Sequence, residues 1–182
     1  MSLPEHLRQD LFDLIPGDPA ILILDFDGVM TDDRVYVRED GLETVACTRG
    51  DGLGISLLVR AGFPVLVLST EKNPVVAARC RKLKIECVQG VPDKTLEFGR
   101  ILAQRGIQPR QAVFVGNDVN DIGCLRQAGC GLVPEDAHPL ARQAARGVLS
   151  RAGGRGAVRE VAELLLVRLG HGLLYNPSDR TG

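Results

Sequence analysis

The stretch ILILDFDGVMTDD, residues 21–33, runs an apolar segment straight into two carboxylates one residue apart, Asp25 and Asp27, with Gly28 behind them. Polar groups able to do chemistry recur where later apolar runs stop. FPVLVLS (63–69) stops at Ser69, followed by Thr70, and QAVFVGN (111–117) runs into Asn117, Asp118 and Asp121; Lys94 opens the helical stretch after IECVQG (85–90). Carboxylates held together repel one another unless a cation sits among them, and oxygen-only donors favour a hard divalent ion such as Mg²⁺. A lysine and a hydroxyl beside them add a positive charge and a neutral donor. Together they suit an anionic group whose oxygens can be shared between metal and protein, as those of a phosphoryl group can. An aspartate nucleophile becomes workable there, because a cation screens its charge from that of the phosphate. Taken singly, an Asp at a strand end is more often a cap or turn residue, and a lysine on a helix more often solvated. It is the recurrence at successive strand ends that points to a site.

The elements that must position these groups are short β-rich runs alternating with helical ones. To the three runs above are added AILILDF (20–26) and CGLVP (130–134). Between them, residues 51–62, 72–84, 93–106 and 121–129 carry apolar residues at three- and four-residue spacing, which predicts helices, several closed by Gly. Buried strands alternating with helices imply a parallel sheet covered on both faces: a doubly wound, Rossmann-like α/β sandwich. All strand ends then share one edge, so groups spread over nearly a hundred residues converge there. Residues 34–48, RVYVREDGLETVACT, break the rhythm by alternating on both sides of an Asp-Gly turn, which predicts a hairpin flap over that edge. HPLARQAAR and GAVREVAELLLVRLG read as further helices, and residues 171–182 as a loose tail.

With 182 residues, the chain has the length of one domain, without a repeat or low-complexity linker. Hydrophobic content of 45%, charged content of 25% and a formal charge of −1 leave no basic excess for nucleic acid phosphates. No apolar run reaches the roughly 20 residues of a membrane span, and MSLPEHLRQD is too polar for a signal peptide, so a cytoplasmic protein is expected. Cys47, Cys80, Cys87, Cys124 and Cys130 form no CxxC pair and read as reduced core thiols.

DFDGVMTD resembles the DxDG(V/T)xTD signature of the haloacid dehalogenase superfamily of phosphatases, and Ser69, Lys94 and GNDVND fall where its later motifs belong. The resemblance spans residues 20 to about 166. RGDGLGISLL, STEKNPVVAARCRKLKI, QGVPDK and GGRGAVREV are similar to segments of its small group without a cap domain, which hydrolyses octulosonate 8-phosphate or acylneuraminate 9-phosphates. They also resemble the C-terminal module of some acylneuraminate cytidylyltransferases. The resemblance implies that Asp25 attacks phosphorus to form an aspartyl-phosphate, while Asp27 protonates the leaving oxygen and then activates water. Ser69 and Lys94 would bind the transferring oxygens, with Thr70 beside them, and Gly28 would permit the chain reversal that returns Asp27 over the site. Mg²⁺ would take Asp25, the carbonyl of Asp27 and a side chain from Asn117 or Asp118, with Asp121 behind them. Glu71, Arg79 and Lys82 would hold the sugar acid. Members without a cap are typically homotetramers in which a neighbour walls the site.

One departure stands out: this group usually reads GDD where this chain reads Gly116-Asn117-Asp118. An amide oxygen still binds Mg²⁺ but adds no charge. The departure keeps a second reading open, a weakly active or inactive tetramerisation module of a cytidylyltransferase. A phosphoacceptor signalling domain would place its aspartate at the end of the third strand, where here Asp93 already begins a helix.

Overall fold

The computed structural model describes residues 3–173. Its centre is a six-stranded sheet in the order β5-β4-β1-β6-β7-β8, parallel throughout. The strands are β1 (Ile21–Leu24), β4 (Val65–Leu68), β5 (Glu86–Val88), β6 (Ala112–Val115), β7 (Cys130–Val133) and β8 (Gly147–Val148). β1, β4, β6 and β7 are buried at every position, as expected of strands covered on both faces. β2 (Thr31–Val37) and β3 (Glu43–Cys47) form the separate antiparallel hairpin, with a register irregularity between Thr31 and Val35. The hairpin thus begins three residues earlier than its alternation suggests.

Helices α2 (Arg49–Arg60), α3 (Pro74–Leu83), α4 (Lys94–Gln104), α5 (Ile122–Gln127), α6 (Pro139–Ala144) and α7 (Ala157–Arg168) account for the periodic stretches. The N-caps explain where three of them start. Thr48, Asn73 and Asp93 each accept a backbone N–H from the first turn of α2, α3 and α4. Two apolar clusters pack on the two faces of the sheet. One gathers Leu22, Leu24, Val67 and Val113 with Ile55, Leu58, Val76 and most of α7; the other gathers Ile21, Ile23, Leu66 and Phe114 with Phe98, Leu102 and Leu125.

Two elements were not expected: α1 (Gln9–Leu14) and the two-residue edge strand β8. β8 is too short to leave a periodic signal, and α1 holds its place through Leu11 in the first cluster. The five cysteines are free thiols, and burial pushes Cys124 and Cys130 up to about 12, far from reactive. Among the described residues no helix is long and apolar enough to cross a membrane. The expected C-terminal tail lies, from residue 174 on, outside the described residues.

Candidate active site

β1 carries Asp25 to the carboxyl edge of the sheet, where its backbone N–H still donates to Val115 O at 2.8 Å. The residue is 5% exposed, and its Oδ1 lies 2.6 Å from Lys94 Nζ. Lys94 is itself 2% exposed because it is the first residue of α4, and α4 is pinned to the sheet one turn later. There Phe98 meets Phe114 edge to face, with centroids 5.7 Å apart. The lysine also reaches Asp121 Oδ1 at 2.8 Å. The second Asp121 oxygen accepts the backbone N–H groups of Asn117 at 2.9 Å and Asp118 at 3.3 Å. Asp121 is fully buried and engaged on both oxygens, so it orients the lysine and the loop after β6 and leaves no oxygen for a ligand.

Ser69 ends β4 in the same manner. It is 2% exposed, donates its N–H to Val88 O and accepts the Glu71 N–H on Oγ at 3.0 Å. Beyond β1 the chain turns tightly, with Phe26 O accepting N–H groups from Val29, Met30 and Thr31. Gly28 stands in this turn at φ 72°, and a Cβ there would fall 1.9 Å from Asn117 Nδ2. Both the backbone and the neighbouring amide therefore require glycine.

These residues surround an open cavity of about 110 Å³ lined by Asp25, Asp27, Asp33, Ser69, Thr70, Asn117, Asp118 and Asn120. Four carboxylates face it, and the electrostatics follow. Burial raises the Asp25 carboxyl to about 8, and the Asp121 charge adds to this against the pull of Lys94. Burial also raises Asp27, helped by Glu71 and Asp33 and opposed by Lys94 and a hydrogen bond with Thr31. Asp33 rises through burial and through Asp118, Asp136 and Asp32. Burial works against the Lys94 ammonium, but Asp25 and Asp121 outweigh it and hold the proton on. A pocket in which Asp25, Asp27 and Asp33 are pushed toward neutrality lacks positive charge, which a cation would supply. Among the described residues no three His, Cys, Asp or Glu side chains are arranged to hold a metal by themselves. The donors that fit are therefore mixed: a carboxylate oxygen of Asp25, the amide of Asn117 or carboxylate of Asp118, and a backbone carbonyl.

Of the residues singled out in the sequence, Asp25, Asp27, Ser69, Thr70, Asn117 and Asp118 meet at this cavity, Lys94 and Asp121 lie buried against Asp25, and Gly28 shapes the turn. Three others do not line this cavity. The Glu71 carboxylate is turned onto its own loop, accepting the N–H groups of Lys72 and Asn73. Arg79 and Lys82 line a second cavity, of about 430 Å³, with Cys47, Arg49, Gly52, Leu53, Ser56 and Leu83. They sit there because α3 packs near α2 and the hairpin base, where Arg79 Nη2 donates to Thr48 O. Two lining residues were missed, Asp33 and Asn120. The doubled aspartate at 32–33 was the visible signal for the first; its left-handed φ of 63° is a conformation that Asp tolerates better than most residues.

No family model matches the chain. Individual relatives do. The 3-deoxy-D-manno-octulosonate 8-phosphate phosphatase KdsC of Salmonella typhi is 37% identical over 151 residues, 82% of this chain and 80% of that protein. The chain belongs to the KdsC-related phosphatases of the haloacid dehalogenase superfamily. Solved structures of the superfamily superpose closely. A candidate HAD family hydrolase from Streptomyces avermitilis is 48% identical with a TM-score of 0.80, covering 82% of this chain and 86% of that one. The octulosonate 8-phosphate phosphatase of Moraxella catarrhalis, solved with magnesium ion, phosphate ion and KDO, is 27% identical with a TM-score of 0.83, covering 87% and 91%. As a member of this superfamily the chain is a phosphomonoester hydrolase with the expected Rossmann-like fold.

Proposed function

We propose that this phosphatase hydrolyses a phosphorylated 2-keto-3-deoxy sugar acid, octulosonate 8-phosphate or an acylneuraminate 9-phosphate, with Mg²⁺. The observation that carries the reading is the buried line of Asp25, Lys94 and Asp121 beneath a cavity that Asp27 also lines. Asp25 attacks phosphorus; Asp27, whose raised carboxyl keeps its proton to higher pH than an ordinary aspartate, gives that proton to the departing sugar oxygen. The Asp25–phosphoryl bond forms as the ester bond breaks, and Asp27 then accepts a proton from the water that hydrolyses the aspartyl-phosphate. Lys94 and Ser69 hold phosphoryl oxygens throughout. Mg²⁺, held by Asp25, the Asp27 carbonyl and Asn117 or Asp118, would return Asp25 to its ionised form and share the phosphate charge.

The cavity is small and open, so the sugar must find its walls outside it. We assign these to a neighbouring copy in a homotetramer. The hairpin carries Val35, Tyr36, Val37 and Leu42 exposed, and the cavity holding Arg49, Arg79 and Lys82 offers cations for the sugar carboxylate. Asn117 favours the second reading, a weakly active tetramerisation module, because it removes a charge where the family usually places one.

Phosphate release from octulosonate 8-phosphate, acylneuraminate 9-phosphate and deaminated neuraminate 9-phosphate, with Mg²⁺ and with chelator, separates the two. The enzyme reading expects Mg²⁺-dependent turnover of at least one, abolished in Asp25→Asn. Background release from all three by an assembled oligomer supports the module instead.

A further inference from the structure

α7 starts without a cap of its own. Its N-cap is Gly156, at φ 109° and lacking any side chain to accept the first N–H groups. A carboxylate from another helix takes that place. Asp51, in the first turn of α2 and 1% exposed, accepts the N–H of Arg159 on Oδ1 at 2.8 Å and that of Gly156 on Oδ2 at 3.3 Å. Its Oδ2 also receives the Thr48 hydroxyl at 2.6 Å, so its rotamer is fixed. A buried negative charge at a helix N-terminus is favourable, and here it ties two helices more than a hundred residues apart.

The segment held in this way touches the active-site turn. The Gly154 N–H donates to Val29 O at 3.0 Å; a Cβ on Gly153 would fall 2.0 Å from Gly28 O, and one on Gly154 2.5 Å from Asp32 N. Residues 153–154 therefore lie flat against residues 28–32, the chain that immediately follows Asp27. Two further carboxylates fix the segment: Asp136 accepts the Gly153 N–H at 2.9 Å, and Glu160 accepts that of Ser150. Asp27, by contrast, is only half-buried and points into an open cavity, so its direction depends on the turn that carries it.

We infer that Asp51 is a positioning residue for this phosphatase: by capping α7 it holds the Gly153–Gly156 segment against the turn after Asp27, and so keeps Asp27 aimed at the leaving oxygen. The inference rests on the acid role of Asp27 given under the proposed function. A small misplacement of an acid costs most where the leaving group needs the proton. An alkoxide leaving from a sugar phosphate needs it; p-nitrophenolate barely does.

Asp51→Asn keeps the shape and one acceptor oxygen while removing the charge. The measurement is kcat/KM, which reports the steps up to leaving-group departure, for octulosonate 8-phosphate and acylneuraminate 9-phosphate against p-nitrophenyl phosphate, all with Mg²⁺. The expected result is a loss of about tenfold on the sugar-acid substrates with p-nitrophenyl phosphate within about twofold of wild type. Parallel losses on both classes, or no loss on either, overturn the inference. If Asp51→Asn does not fold, Asp136→Asn decides. It loosens the same segment from an exposed position, and the same selectivity, smaller in size, is required of it. Wild-type protein that releases phosphate from none of the sugar-acid phosphates overturns the proposed function itself, and this inference with it.

Discussion

The two ends of the catalytic edge are built differently. At one end, Asp25, Lys94, Ser69 and Asp121 are all at most 5% exposed and bonded to one another or to the backbone. At the other, the β2–β3 hairpin is exposed along most of its length, with Tyr36 and Val37 more than half open to solvent. The difference separates two tasks. In the proposed reaction, the groups that handle the phosphoryl must be fixed before substrate arrives, which burial in the chain's own core achieves. In the proposed function, groups that recognise the rest of the substrate need a wall, and the exposed Val35, Tyr36, Val37 and Leu42 are the surface offered for it.

The largest effect should come from the buried end. Lys94→Met leaves Asp25 and Asp121 side by side without their cation, which costs about 3–5 kcal/mol of stability and lowers phosphate release at least a hundredfold. Denaturant unfolding and a phosphate assay check the two halves of that statement, and an unfolding midpoint equal to wild type would mean that the pair is not held as described. The flap should behave in the opposite way. Tyr36→Ser with Val37→Ser is expected to leave stability within about 0.5 kcal/mol, as exposed substitutions usually do. It should shift the proposed homotetramer toward smaller species by light scattering, and reduce turnover of a sugar-acid phosphate about tenfold while sparing p-nitrophenyl phosphate.

Between the two ends sits Asn117. Asn117→Asp adds a carboxylate where the family usually has one and should lower the Mg²⁺ concentration for half-maximal activity about tenfold. An unchanged Mg²⁺ titration would remove Asn117 from the metal's donors. The smallest expected effect concerns Glu71, whose charge helps to raise Asp27. Removing it in Glu71→Gln lowers the Asp27 carboxyl toward its ordinary value, so that carboxyl loses its proton at lower pH. The alkaline limb of the kcat/KM profile should accordingly move down by a fraction of a pH unit, and movement upward would reverse the assigned sign.

The buried end was legible in the sequence because its physics is local. A strand of four buried residues followed by a polar group announces both the element and the edge it reaches. The convergence of Asp25, Ser69, Lys94 and Asn117 then follows from parallel topology alone. What was not legible depends on contacts distant in sequence. Nothing in RGDG signals that Asp51 will cap α7, since an acid in a first helical turn ordinarily serves its own helix. Arg79 and Lys82 follow Ser69 closely in sequence, yet α3 directs them into a second cavity, beside Arg49, that the sequence does not announce. Asp33 was passed over because the hairpin begins at Thr31, which places Asp33 near its base, where it lines the cavity. A two-residue strand such as β8 lies below the length at which a periodic pattern can be read.

The most direct measurement is the covalent state of Asp25 during turnover. Wild-type protein mixed with Mg²⁺ and a turned-over substrate, quenched in acid within a single cycle and digested, should yield one phosphorylated peptide. That peptide should contain residues 21–34, with the phosphoryl group on Asp25 and none in Asp25→Asn. Turnover with no phosphorylated peptide at any quench time, or with the label on another residue, would contradict the central claim that the carboxylate beside Lys94 is the nucleophile.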